Sequence, residues 1–135
     1  MPVWRSWVQL LMLATAILIH PVDGALPKKS VRILNELPGT LTVRCQSKDA
    51  DLQTQKLEAG RDYVFSFYLD TWGTTNYWCA FHFGKQWNAS FDVFIGHGME
   101  TVPCVHCLWV VKTEGFLLAE EGQVPIIQKP WQQTD

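Results

Sequence analysis

The sequence predicts an all-β fold, a small antiparallel β-sandwich stapled by two disulfides. Three observations point there. Apolar and polar residues alternate with period two in one short segment after another. Turn signals return about every 8–12 residues. The four cysteines of the 135-residue chain, Cys45, Cys79, Cys104 and Cys107, all lie beyond its amino-terminal leader. An even cysteine count in a small exported domain reads as a disulfide framework, because such a domain buries too little core to be secure without staples.

The leader comes first in the chain. Met1–Trp7 carries one positive charge, Arg5, and Val8–Ile19 is apolar apart from Gln9 and Thr15. Pro21 stops any helix and Gly24 offers a small residue at the exit. A charged start, a short apolar run and a small-residue exit are what signal peptidase reads, so residues 1–24 are expected to be a cleaved signal peptide. The run is shorter than the roughly 20 apolar residues a spanning helix needs, so no stable membrane insertion is expected after cleavage. Cleavage takes away Arg5 and Asp23, one charge of each sign, and the net charge stays at −2. No basic stripe of the kind phosphate backbones select is present, which argues against nucleic acid as a partner.

From there the expected domain, residues 25–119, reads as strand after strand. Val31–Asn35 alternates, and Pro38-Gly39 turns the chain into Leu41–Ser47, which alternates again. Lys48–Asp51 reads as a polar loop, followed by a short stretch through Leu57 and a turn at Glu58-Ala59-Gly60. Tyr63, Phe65, Phe67 and Leu69 share one face of the next segment; Tyr77, Cys79, Phe81 and Phe83 share one face of the segment after Gly73. Gly84-Lys85-Gln86 reads as a hairpin tip, Phe91–Ile95 as a strand, and His106–Val111 with Phe116–Ala119 as a last hairpin. No helical period runs over three turns, and about seven short strands result. Residues 120–135 hold few core candidates beyond Ile126, Ile127 and Trp131 and are expected to be a loosely held tail.

Several motifs invite a chemical reading. Cys104-Val-His-Cys107, near His97, resembles half of a zinc site or a redox motif. Zinc wants four ligands, usually from paired motifs, and a redox C-x-x-C opens a helix, so structural disulfides are the better reading. Three pairings are possible, and both bridges are expected to join segments distant in sequence. A hydrolase would need a nucleophile, a base and an orienting acid, and neither G-x-S-x-G nor H-E-x-x-H is present; no enzyme, metal or cofactor is expected. His82 has the opposite parity from Phe81 and Phe83 and should face solvent. Asn88-Ala89-Ser90 is an N-glycosylation sequon at Asn88. Trp72 and Trp87 lie near turns, where aromatic side chains serve binding, whereas Trp109 shares the Cys107/Val111 face and belongs in the core. Asp49, Asp51, Lys85 and Gln86 are loop-tip residues a partner could read.

In order along the chain stand V-x-I-x-N at Val31–Asn35, L-T-V-x-C-x-S-K-D at Leu41–Asp49, and L-x-x-G-x-x-Y-x-F-S-F at Leu57–Phe67. G-T-T-x-Y-W-C-x-F follows at Gly73–Phe81, then F-D-V-F at Phe91–Phe94, and C-x-x-C-x-W with a downstream E-G at Cys104–Gly115. By this ordered set the chain resembles the plant self-incompatibility S1 family, the S-protein homologues. Two features depart from that pattern. The family's acidic D-D-L-G run is Asp49-Ala50-Asp51-Leu52-Gln53 here, without the glycine, and the segment past Ala119 is longer than is typical.

The resemblance implies a small secreted β-sandwich with two disulfides. It also implies a plant cell–cell recognition ligand of the self-incompatibility type. The expectation is a secreted, glycosylated monomer recognised by a cell-surface protein receptor, presenting Lys48–Gln53 and Gly84–Asn88. The alternative is a secreted carbohydrate- or lipid-binding module using exposed aromatics.

Overall fold

The computed structural model describes residues 28–70, 74–96 and 104–133, which leaves the expected signal peptide, Trp72 and His97 outside the described residues. Ten strands follow in chain order: β1 (Lys28–Asn35), β2 (Leu41–Ser47), β3 (Asp51–Leu57), β4 (Asp62–Tyr68), β5 (Asn76–Phe83), β6 (Trp87–Ile95), β7 (His106–Lys112), β8 (Gly115–Glu120), β9 (Ile126–Lys129) and β10 (Gln132–Gln133). They form two five-stranded sheets, ordered β4-β1-β7-β8-β9 and β10-β6-β5-β2-β3.

The period-two pattern is what separates the sheets' inner and outer faces. Val31 and Ile33 on β1, and Trp109 and Val111 on β7, turn inward from the first sheet, each at most 1 % exposed. Leu41, Val43 and Cys45 on β2, with Cys79 and Phe81 on β5, meet them from the second. Aromatic rings lock the two layers together. Phe91 of β6 lies 4.9 Å from both Trp109 of β7 and Phe116 of β8, centroid to centroid. A second cluster joins Phe67 of β4 to Tyr77 (4.5 Å) and Phe94 (4.8 Å) across the same gap.

Pairing is antiparallel throughout with one exception: β1 and β7 run parallel, Val31 opposite Cys107 and Ile33 opposite Trp109. A parallel pair needs a long crossover, and the chain from β2 through β6 supplies it by building most of the other sheet in between. Two further differences from the sequence reading concern polar segments. Asp51–Leu57, expected as loop and connector, is β3, an edge strand on β2. Edge strands carry polar residues on both faces, so DLQTQKL shows little alternation to read. The tail, expected to be loosely held, instead supplies a strand to each sheet. β9 pairs with β8, and after Pro130-Trp131 the chain crosses to pair β10 with β6.

The disulfides are Cys45–Cys79 and Cys104–Cys107. Cys45 and Cys79 stand directly opposite each other on the neighbouring strands β2 and β5, with Cα atoms 4.0 Å apart and no solvent exposure. Cys104–Cys107 closes a bridge across only three residues of sequence, contrary to the expectation that both bridges would join distant segments. Neither bond links one sheet to the other. The layers are held by packed side chains instead.

One irregularity shows how the interior is satisfied. The register between β5 and β6 shifts so that Trp78 pairs with Asp92 and Tyr77 with Phe94, leaving Val93 as an extra residue in β6. A bulge takes its residue out of the ladder. The freed Val93 carbonyl accepts the Trp109 indole N–H at 3.0 Å, a hydrogen bond from one sheet to the other.

Candidate functional site

The outer face of the second sheet is polar and concave. Cross-strand register aligns Thr42, His82, Asn88 and Gln132 in one row over β2, β5, β6 and β10. A second row runs Thr54, Arg44, Ala80 and Ser90. In β2, β3, β5 and the part of β6 before its bulge, these residues have the parity opposite to the buried ones. Because Ala80 is the smallest side chain among them, the face dips there, and the rows wall a trough of about 310 Å³. The His82 Nδ1 and Asn88 Oδ1 atoms are 2.5 Å apart, so the imidazole fixes the amide's orientation.

At the edge of the trough Arg44 forms a bidentate pair with Asp51, through Nε at 3.2 Å and through its terminal nitrogen to the second carboxylate oxygen. Asp51 also accepts the backbone N–H of Gln53 at 2.9 Å. The hydrogen bond from Arg44, helped by that amide, holds the Asp51 carboxyl below the ordinary carboxylate range. Gln53 itself takes φ of +68°, the left-handed region, at the position where the related pattern has glycine. Asp51, expected as a partner-reading residue, thus spends its acceptors on holding the bulge at the start of β3.

The remaining expected partner residues do not form one surface. Asp49 sits in the β2–β3 connection, beside Ser47, which pairs with Tyr77 at the start of β5. Lys85, Gln86 and Trp87 sit at the β5–β6 turn, beside Leu41 at the start of β2. The two turns are therefore at opposite ends of seven-residue strands, roughly 20 Å apart at about 3.4 Å per residue. Among the two groups, the Trp87 end carries the fixed aromatic surface. Trp87 is 37 % exposed and meets Trp131 edge-on at 6.2 Å. Trp131 in turn donates its indole N–H to the Lys112 carbonyl at 2.6 Å and packs on Phe116 at 4.6 Å.

Asn88, expected near the turn ahead of the Phe91–Ile95 strand, lies within β6, because that strand begins at Trp87 rather than at Phe91. Sequence reasoning missed the trough altogether. Its residues look like an ordinary solvated face, and the available signal was their shared parity around one alanine.

One pairing has a catalytic look. The Ser30 hydroxyl and His106 Nδ1 lie 2.7 Å apart. Glu120, the nearest acid in this network, accepts the backbone N–H groups of Val105 and His106, the latter at 2.9 Å. Its carboxylate orients the Cys104–Cys107 loop rather than the ring. Among the described residues, no group of three or more His, Cys, Asp or Glu could hold a metal ion. No helix among them is long and apolar enough to cross a membrane.

Comparison with known proteins places this geometry in a family. The model of the plant self-incompatibility protein S1 family matches residues 30–131, a span that takes in the tail strand β9 and Trp131 as well as the cysteines. The carboxy-terminal segment past Ala119 is therefore largely part of the family's pattern and not an addition to it. S-protein homolog 2 of Arabidopsis thaliana is 33 % identical over 94 residues, 65 % of this chain and 58 % of its own length. Self-incompatibility protein S1 of Papaver rhoeas is 32 % identical over 97 residues, 70 % of each chain. Among solved structures, a self-incompatibility protein homologue superposes with a TM-score of 0.61 over 80 % of this chain and 97 % of its own, at 14 % identity. That likeness is one of fold, and its family is described as small, highly stable, secreted proteins from plants. The chain belongs to the plant self-incompatibility protein S1 family.

Proposed function

We propose that the mature domain is a secreted recognition ligand, read by a cell-surface protein receptor through the end of the sandwich centred on Trp87. The observation that carries this reading is the seating of Trp87 against Trp131, which is itself tied to Lys112 and Phe116. An exposed aromatic held by its neighbours is an anchor that loses little conformational freedom on binding, and such residues dominate interface energetics. Lys85 and Gln86 flank it in solvent. The reading as a lipid- or carbohydrate-binding module finds less support, because Tyr68 and Trp87, the most exposed aromatics among the described residues, stand on different sheets and form no shared row. We assign the domain no catalytic activity, since the Ser30–His106 pair lies on an exposed strand surface with its neighbouring acid engaged elsewhere.

The test is binding of fluorescently labelled mature protein to intact plant cells. The expected result is saturable binding that brief protease treatment of the cells removes. Binding that resists protease but disappears after glycosidase treatment would assign the domain to the carbohydrate-binding class instead.

A further inference from the structure

We propose that Asn88 carries an N-linked glycan and that its first sugars lie in the trough over Ala80, making the outer face of the second sheet a glycan-covered surface. Three observations meet there. The sequon's two required residues, Asn88 and Ser90, project from the same face of β6 and both line the trough. The amide's Oδ1 is already engaged by His82, and a sugar attached to Nδ2 leaves that oxygen an acceptor, so the contact survives modification. The surroundings suit a neutral polyol: hydroxyls from Thr42 and Ser90 line the hollow, and its cation, Arg44, is neutralised by Asp51. The half-buried Trp78 lies on the same face one pair further along β5, where a sugar ring extending past Ala80 meets an aromatic surface.

Attachment is a transfer from a lipid-linked oligosaccharide diphosphate in the secretory route. The bond from Asn88 Nδ2 to the sugar C1 forms as the C1–oxygen bond to the diphosphate breaks; the amide loses one proton and the lipid diphosphate departs. Transfer precedes folding, so the later position of Asn88 within a strand does not hinder it. Once β5 and β6 pair, the trough closes in around the attachment point. Trp87, the adjacent residue, points to the other side of β6 and stays clear of the sugar.

The experiment uses the full chain secreted from plant cells treated with a mannosidase inhibitor, so that the glycans stay in the high-mannose form that endoglycosidase H cuts. Intact mass should fall on enzyme treatment, and the Asn88→Gln variant should show no such loss. Seating is read from rates: cleavage of the native protein should be about tenfold slower or more than cleavage of the denatured protein, as for a bond protected by local structure. Ala80→Arg fills the hollow from an exposed position without touching the sequon; it should keep full occupancy and lose the protection. If that variant is not secreted, Ser90→Thr keeps the sequon while crowding the wall and should also weaken protection. The proposal is overturned by an unmodified Asn88 in the secreted protein, by equal rates in native and denatured material, or by undiminished protection in Ala80→Arg.

Discussion

Trp131 reaches back nineteen residues to donate its indole N–H to the Lys112 carbonyl at 2.6 Å, and in doing so it straps the carboxy-terminal segment over the end of both sheets. Its ring covers Phe116, which is fully buried. The chain on one side of it belongs to the first sheet through β9 and on the other to the second through β10. Trp131→Ala should therefore cost about 2–4 kcal/mol in denaturant unfolding, from lost ring contacts and an unpaired carbonyl. Trp87→Ala, at a more exposed ring, should cost less than about 1 kcal/mol. Equal losses would mean that the tail is no strap.

Asn35 is the buried polar side chain on which the β1 end depends. It is fully buried, donates to the Gly39 and Leu57 carbonyls at 2.9 Å each, and accepts the Leu37 N–H at 2.9 Å. Asn35→Ala strands three backbone groups and should lose about 2–4 kcal/mol in thermal or denaturant unfolding. Asn35→Asp should do no better, because its carboxylate would face two carbonyl oxygens.

The two disulfides should differ in worth. Closing a loop of 34 residues restrains the unfolded chain far more than closing one of three. On the chain-entropy account, replacing Cys45 and Cys79 by Ala should cost about 4 kcal/mol and replacing Cys104 and Cys107 about 2 kcal/mol. Urea midpoints of the two double variants check this. The second pair serves mainly to place the loop whose Val105 and His106 amides Glu120 binds.

At the bulge near the start of β3, Gln53→Gly should stabilise the protein by about 0.5–1 kcal/mol, since left-handed backbone is strained for a residue with a Cβ. A β-branched residue there should destabilise it. The nearby Asp51 gives this bulge a pH dependence. Its folded-state pKa is lowered by Arg44, so its contribution is in place above the unfolded value of about 3.9 and is lost as pH falls through the lower folded value. A carboxyl titration followed by NMR should give Asp51 a midpoint below that of a free carboxylate, and Arg44→Ala should raise it.

Strands whose two faces differ were legible in the sequence. β1, β2, β4 and β5 each alternate buried with less buried residues; β7 and β8 do not, yet Trp109 was recognisable as core from its parity with Cys107 and Val111. β3 was not, because an edge strand need not alternate. The tail was not, because Trp131 acts through one indole and one ring contact rather than through a periodic run. The sites were less legible still. Parity put His82 in solvent, but the trough needs to be known as β2 beside β5 beside β6, and that order is set by pairings distant in sequence. The same missing order left the relative placement of the two loop tips unread, and the strands hold Asp49 and Lys85 at opposite ends.

The most direct test compares those ends. Saturable binding of the secreted protein to intact plant cells should be measured for the wild type, Trp87→Ala and Asp49→Ala, with folding checked by thermal unfolding. The account predicts that Trp87→Ala weakens binding by about tenfold or more, a hot-spot effect, while Asp49→Ala stays close to the wild type. Undiminished binding by a folded Trp87→Ala protein, with loss in Asp49→Ala, would contradict it.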